Sequence, residues 1–424
     1  MRKDYEDFVS YLGYDQLDDR VYLLYQTFLK QYDKKTAFIS QSELDDVLCR
    51  LDLDMIYQKE IKDSYNTIAH HADLNKAIAF LKYILVVGAH PSHWYVKKAP
   101  EPKASCISVS AFQCMTLLAL IPHSIKSYQE KKIDESHILF NLGHLKGYIQ
   151  SFYKKHQRLG IDNFGWCTYL ASLGLIALKS LNFMHHIFSD PYRIYQNTDD
   201  QHIIILVEPN INVRKDGQLD GVNGVYNQDF LTTLEETDNE IKGYRVHPFG
   251  YIENKQVSLK KSQWKLIVKK GDPVIDFHIP TKKGYSISDI KDSFLEAKTF
   301  FQTHYKEYDY RAFWCVSWLY SPQLDHLIKK PESHIIDVAR QGYICPATPG
   351  EKSLFTFVFQ TETPDFQTIT PKTSLEKNVI DYVNQNGKIN TGMYIYLLED
   401  VSVFGSRPYI TKNDTDNNKF QGKV

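Results

Sequence analysis

The chain has little that binds metal, crosses a bilayer or draws a polyanion. Its 424 residues contain six cysteines, Cys49, Cys106, Cys114, Cys167, Cys315 and Cys345. None forms a CxxC pair or stands at zinc-finger spacing from a histidine pair, so neither a zinc module nor a disulfide framework is expected. Scattered single thiols fit a reducing compartment. Lys plus Arg number 50 against 51 for Asp plus Glu, so no net field attracts nucleic acid or a membrane surface. The longest apolar stretch, near Ile78 to Gly88, is broken by Lys82 and is too short to span a bilayer. The opening MRKDYEDFVSYLG carries acids where a secretory leader needs an apolar run. These absences predict a cytoplasmic protein with no metal, nucleic-acid or membrane partner.

What is present is an ordinary globular composition, 43 % hydrophobic and 24 % charged, with aromatics at 13 %. The length suits two or three domains. The first part reads as helical. Phe8, Tyr11 and Leu12, then Val21, Leu24, Tyr25, Phe28 and Leu29, recur at three- and four-residue steps. Ser42 with Asp45 suggests a capping box for a helix ending at Leu51. KKAPEPKAS at 97–105 reads as a loop, and helical patterning resumes over Ser110–Tyr128 and Ser136–Tyr153. Asn163 is placed to cap a helix beginning FGWCTYLASLG.

After Leu181 the texture changes to short β-type runs: LNFMHHIF, YRIYQ, HIIILVE, GYRVHPFGYI, WKLIVKK and PVIDFHIP. NVRKDGQLDGVNG reads as a long turn, LFTFVF as a strand, and the closing KNDTDNNKFQGKV as a disordered tail. The most informative stretch runs from Trp264 to Tyr320 and reads strand, loop, helix, strand, a βαβ unit with parallel neighbours. Ligands in such sheets sit at the carboxyl ends of the strands.

Period two in the first strand puts Val274, Asp276 and His278 on one face, and Ile275, Phe277 and Ile279 on the other. Pro280 ends the ladder because it has no N–H. In the loop TKKGYS, Ser286 and Asp289 are placed to cap a helix whose core stripe is Ile290, Phe294, Ala297 and Phe301. Free N–H groups at that helix start, beside Lys282 and Lys283, suit a phosphate or pyrophosphate. The second strand, Phe313–Tyr320, carries Phe313, Cys315, Ser317 and Leu319 on one face. If the strands are neighbours, His278 approaches Cys315 or Ser317, which admits a nucleophile–base pair; a buried free thiol is more often an inert core residue. Tyr320 is a candidate general acid and His334 a residue within reach of the same cleft. The adjacent pairs His70–His71 and His185–His186 do not share a face and are not expected to chelate. Lys260, Lys261, Lys265, Lys269 and Lys270 are a basic group that could flank an acidic cofactor, though such a group is more often a solvated strand edge.

On these residues the chain resembles a known family. GYRVHPFGYIENKQVSLKKSQWKLIVKKGDPVIDFHIP, AKTFF, FWCVSWLYSPQL, SHIIDVARQGY and PKTSLEKNVIDYVNQNG look like segments of a bacterial family of acyltransferase-domain proteins. That family joins an N-acyltransferase N-terminal helical domain to a GNAT-like C-terminal domain. The chain departs from it at Lys179–Ser180, where a Gly-Arg step is usual, and at Thr281-x-x-Gly284-x-Ser286, in place of the usual pyrophosphate loop. The resemblance implies an α+β protein: a helical domain over 1–160, a GNAT-like mixed-sheet domain over 161–410 and a tail over 411–424.

It further implies acyl-CoA, with acetyl-CoA first, as co-substrate, held by Ile279, Pro280, Thr281, Lys282, Lys283, Gly284, Tyr285, Ser286 and Ser317. His278 is then the expected base, Asp276 its support, and Tyr320 or Cys315 the acid that meets the leaving thiolate. The acceptor is a small-molecule or peptide amine. Two other readings follow from the same residues: a degenerate GNAT-like module that binds acyl-CoA or a protein without chemistry, and a thiol-dependent enzyme using Cys315.

Overall fold

The computed structural model describes residues 2–15, 19–87, 98–280, 283–330 and 332–416. It divides into two compact units, Met1–Ala177 and Leu178–Val424. The division lies later than the expected 160/161 because the helix after Asn163 packs on the preceding helices and not on a sheet.

The first unit is helical. Its elements are α1 (Arg2–Tyr11), α2 (Asp19–Gln31), α3 (Gln41–Leu51), α4 (Met55–Ala69), α5 (Ala72–Val87), α6 (Val109–Glu130), α7 (Glu135–His156) and α8 (Phe164–Ala171). The hub is α6, apolar around most of its circumference, with Phe112, Met115, Leu117, Leu118, Ala119 and Ile121 all buried. A helix of that kind is stable only when surrounded, and α3, α4, α5, α7 and α8 all pack on it. Asn163 does cap α8, its Oδ1 accepting from the Trp166 N–H at 3.3 Å. The box at the start of α3 uses Ser40 and Glu43, not Ser42 and Asp45. Ser40 has the extended backbone a cap needs, and its N–H donates to Glu43 Oε2 at 2.8 Å.

The second unit begins within the short strand β1 (Ile176–Leu178) and continues with β2 (Leu181–Ile187), β3 (Tyr192–Asn197), β4 (Ile203–Val207), β5 (Asn212–Arg214), β6 (Gln228–Leu231), β7 (Leu234–Glu236), β8 (Glu240–His247), β9 (Tyr251–Lys260), β10 (Trp264–Val268) and β11 (Pro273–His278). Then follow α9 (Ile287–His304), β12 (Ala312–Ser317), α10 (Leu324–Leu327), α11 (His334–Ala339), β13 (Tyr343–Pro346), α12 (Lys352–Phe359), α13 (Ser374–Asn384), β14 (Gly392–Leu397) and α14 (Lys412–Asp416). One sheet has the order β1-β2-β11-β12-β14-β13, and the other β10-β3-β4-β8-β7 with β9 on β8. The unit is thus the expected mixed-sheet domain after a helical one.

Three expectations change. NVRKDGQLDGVNG is not a bare turn, since its first three residues form β5, which pairs with β6 just beyond it. LFTFVF is the helix α12, burying Leu354 and Phe355 against Leu327 and Val379. Residues 411–416 are ordered, not tail: Asp414 is 1 % exposed and accepts from Arg245 Nη2 at 2.6 Å. The remaining tail, 417–424, lies outside the described residues.

Helix α9 covers one face of the first sheet with the expected stripe Ile290, Phe294, Ala297 and Phe301, all buried. Phe294 is the anchor. Its ring stacks on Phe313 of β12 at 4.1 Å and meets Phe277 of β11 at 5.2 Å, Phe183 of β2 at 6.3 Å and Phe404 at 5.5 Å. Buried aromatic pairs of this kind add to the area they bury. Truncation leaves a cavity that three strands would have to collapse into, so Phe294→Ala is expected to cost about 3–5 kcal/mol. Chemical denaturation measures it; a loss under about 1 kcal/mol would show that α9 is not pinned to the strands through this ring.

Candidate active site

The candidate site is built where β11 and β12 part. The two strands are parallel but hold register over only two pairs, Ile275↔Phe313 and Asp276↔Trp314. Beyond that, Phe277 and His278 stay on β2, opposite Phe183 and Asn182. Cys315, Val316 and Ser317 stay on β14, opposite Tyr394, Met393 and Gly392. Each strand follows its antiparallel outer neighbour, and a fork opens between them.

The fork has two unlike faces. Facing pairs of a parallel ladder point the same way, so Ile275, Phe277, Phe313 and Cys315 lie toward α9, while Asp276, His278 and Trp314 lie on the opposite face. On that opposite face His278 Nε2 stands 3.2 Å from Asp276 Oδ2 and 3.0 Å from Met184 Sδ. Asp276 is 6 % exposed, whereas the His278 side chain keeps 37 % of its surface. Burial pulls the imidazolium down, but the charge of Asp276 and its hydrogen bond outweigh that and raise the histidine above its ordinary pKa. Next to them Trp314 donates Nε1–H to Asp190 Oδ2 at 2.9 Å and stacks on His186 at 4.4 Å. Burial, with the Asp276 charge nearby, raises the Asp190 carboxyl despite that hydrogen bond.

On the α9 face the end of β12 departs from the expected strand. Trp318–Tyr320 form a single tight turn, with the Ser317 hydroxyl accepting from the Leu319 N–H at 3.2 Å. This turn swings Tyr320 inward, fully buried, where its hydroxyl meets that of Tyr285 at 2.8 Å and its ring packs on Tyr394 at 4.4 Å. A side chain at Gly392 would collide with the Tyr320 carbonyl, which explains the glycine there. Burial lifts the Tyr320 and Tyr285 phenols above their usual range, so both keep their protons at neutral pH. Cys315 is raised by burial and then by Asp276, so it is a thiol and not a thiolate. It lies on the face away from His278. The Cys315–His278 pair admitted from the sequence therefore does not form, and neither does Ser317–His278, the serine hydroxyl being turned to its own backbone.

The loop into α9 carries the remaining predicted residues. Ile279 and Pro280 are half-buried, and Thr281 and Lys282 lie outside the described residues. Ser286 and Asp289 form the expected capping box, Ser286 N–H to Asp289 Oδ2 at 2.9 Å and Asp289 N–H to Ser286 Oγ at 3.2 Å. A Cβ at Gly284 would lie 2.5 Å from Asp289 Oδ2, so the glycine allows the box. Lys283 is exposed and donates to the Lys179 carbonyl at 2.8 Å, joining the loop to the β1–β2 turn. His334 begins α11; neighbouring Ser333 supplies no side-chain cap.

Sequence reasoning missed Met184, Asp190, Trp314, Tyr394 and the pairing of Tyr285 with Tyr320. Only the last carried a signal, two tyrosines flanking the βαβ unit at its open end.

With this geometry in place the comparisons with known proteins become specific. A GNAT-like C-terminal domain matches residues 175–395, and an N-acyltransferase N-terminal domain matches 42–173. The chain belongs to the family defined by that GNAT-like domain, and it is a two-domain acyltransferase. No curated protein sequence matches it. Among solved structures it is similar to an acyltransferase variant in complex with octanoyl-CoA, with a TM-score of 0.53 and 18 % identity over 92 % of this chain and 98 % of that one. It is also similar to an acyltransferase in complex with decanoyl-CoA and teicoplanin, with a TM-score of 0.52 and 16 % identity over 93 % and 99 %. At such identities the likeness is one of fold.

The Asp276–His278 pair gives a direct test. Asp276→Asn removes the charge and leaves the burial, so the imidazole should titrate at lower pH than in the wild type. Histidine NMR titration reads this; an unchanged or raised midpoint would show that Asp276 does not govern His278.

Proposed function

We propose that the fork between β11 and β12 receives an acyl-CoA thioester and that the enzyme passes its acyl group directly to an amine of a small-molecule acceptor. The observation that carries this reading is the pairing of a carboxylate-supported histidine on one face of the fork with a neutral tyrosine on the other. A thioester laid between the strands is then flanked by a proton acceptor and a proton donor.

The amine nitrogen must lose a proton as it attacks the carbonyl carbon. If Nε2–H of His278 donates to Asp276, Nδ1 is the nitrogen that takes that proton, and the carboxylate steadies the resulting imidazolium. Backbone N–H groups of β11 past the fork polarise the carbonyl oxygen. The C–S bond breaks, and Tyr320 hands its hydroxyl proton to the departing thiolate. The capping box uses the N–H groups of Ser286 and Asp289 and leaves those of Ile287 and Ser288, in the same first turn of α9, to meet the pyrophosphate. Lys283 and Lys282 sit beside that turn in the chain.

Acetyl-CoA, the first expectation, finds no support in the structurally similar acyltransferases, whose bound thioesters are octanoyl- and decanoyl-CoA. We therefore take acyl-CoA without that restriction. The teicoplanin in one of those complexes supports a small-molecule acceptor. No helix among the described residues is long and apolar enough to cross a membrane. The free cysteines fit the reducing cytoplasm, where we place the reaction.

With an acyl-CoA and an amine panel, His278→Ala should lower kcat about a hundredfold or more. The wild-type rate should rise with pH as His278 loses its proton, and that limb should be absent in the variant. An unaltered rate in His278→Ala removes the histidine as base. Acyl-CoA binding without turnover of any amine by the wild type would favour the catalytically silent module instead.

A further inference from the structure

The helical unit contains a groove of about 390 Å³, far in sequence from the fork. That volume lies in the range of small-molecule pockets, about 300–1,000 Å³. Its walls come from α2, the loop after it, α5 and α6. They include Phe28, Tyr32, Phe38, Ala79, Tyr83 and Val86, with Lys82 and His123 as the basic members. Phe28 stacks on Tyr32 at 4.9 Å and packs on Tyr83 at 5.7 Å, so the aromatic wall is continuous. The loop is pinned by Asn75, which is 3 % exposed; its side chain accepts from the Phe38 N–H at 2.8 Å and donates to the Thr36 carbonyl at 3.0 Å. The groove is therefore formed before anything binds.

Its acidic and basic wall residues are Lys82, His123 and Asp33. Lys82 is half-buried on α5, and among the described residues its ammonium makes one long hydrogen bond, to the Phe38 carbonyl at 3.4 Å. Among the described residues no carboxylate pairs with it. The two acids that could do so are engaged elsewhere. Glu43 closes the α3 capping box, accepting from the Ser40 N–H at 2.8 Å and its hydroxyl at 2.7 Å. Asp33, which also lines the groove, accepts from the Lys35 N–H at 2.9 Å. Burial lowers the pKa of Lys82, opposed only by the Glu43 charge. Burial, and then the Lys82 charge itself, lowers that of His123. A half-buried ammonium with no carboxylate partner among the described residues, beside a histidine and an aromatic wall, calls for an anion with an apolar body.

We propose that this groove is a second ligand site, which binds a monocarboxylate with an apolar body, its head on Lys82 and His123 and its body along Phe28, Tyr32, Phe38 and Tyr83. The site is independent of the transfer chemistry and gives the helical unit a binding role of its own.

Titration calorimetry of the full chain with octanoate tests it, with octylamine as the charge-reversed probe. The wild type should bind octanoate saturably and octylamine not at all. Lys82→Met should weaken octanoate about tenfold or more, the scale of a lost charged hydrogen bond. Lys82→Arg, which keeps the cation, should retain binding. Ala79→Trp, which fills the groove from α5, should abolish it. Melting curves identify any variant that fails to fold, and the Arg variant carries the test in that event. The proposal is overturned if the wild type gives no saturable heat with millimolar octanoate, if octylamine binds as well as octanoate, or if either Lys82→Met or Ala79→Trp binds like the wild type.

Discussion

The constraint on which the site depends is that β11 and β12 pair with each other over only two residues. Each is committed along its full length to an antiparallel partner, β11 to β2 and β12 to β14. Their mutual parallel register holds over two pairs only. A sheet twists from strand to strand, and past the second pair β11 follows β2 while β12 follows β14. Phe294 holds the closed end by packing on both strands at once, while the turn at Trp318–Tyr320 carries the open end away. The fork is thus a consequence of topology rather than of loops, and loops would position a site less exactly.

From the fork follows the division of chemical labour. Alternation along β11 assigns Asp276 and His278 to one face and Phe277 to the other. The α9 face is aromatic and buried, and it holds hydroxyl and thiol groups that keep their protons. The opposite face holds the carboxylates Asp276 and Asp190 and two imidazoles. The histidine and the phenols thus lie on opposite faces of the sheet, the arrangement on which the proposed assignment of base to His278 and acid to Tyr320 rests.

Much of this was legible in the sequence. Period two in PVIDFHIP placed Asp276 beside His278, and period 3.6 in the following helix named its buried stripe, because both patterns are local. The Ser286–Asp289 cap was legible for the same reason. What failed was non-local. The parity between strands decides whether His278 faces Cys315, and nothing in either strand alone states it. Tyr320 turned inward because Ser317 caps its own backbone, ending a strand that composition would have continued. Asp414 looked like part of a solvated tail, yet it is buried by Arg245, distant in sequence. LFTFVF has strand composition, but packing on Leu327 and Val379 selects the helix.

The central claim is that the parting of β11 and β12 is where the thioester lies. Hydrogen exchange with and without a saturating acyl-CoA measures this directly. The account predicts added protection of the amides at Phe277–Ile279 and at Ile287–Ser288, with β4 and β8 unchanged. Protection confined to other strands, with the end of β11 and the start of α9 exchanging as before, would contradict it.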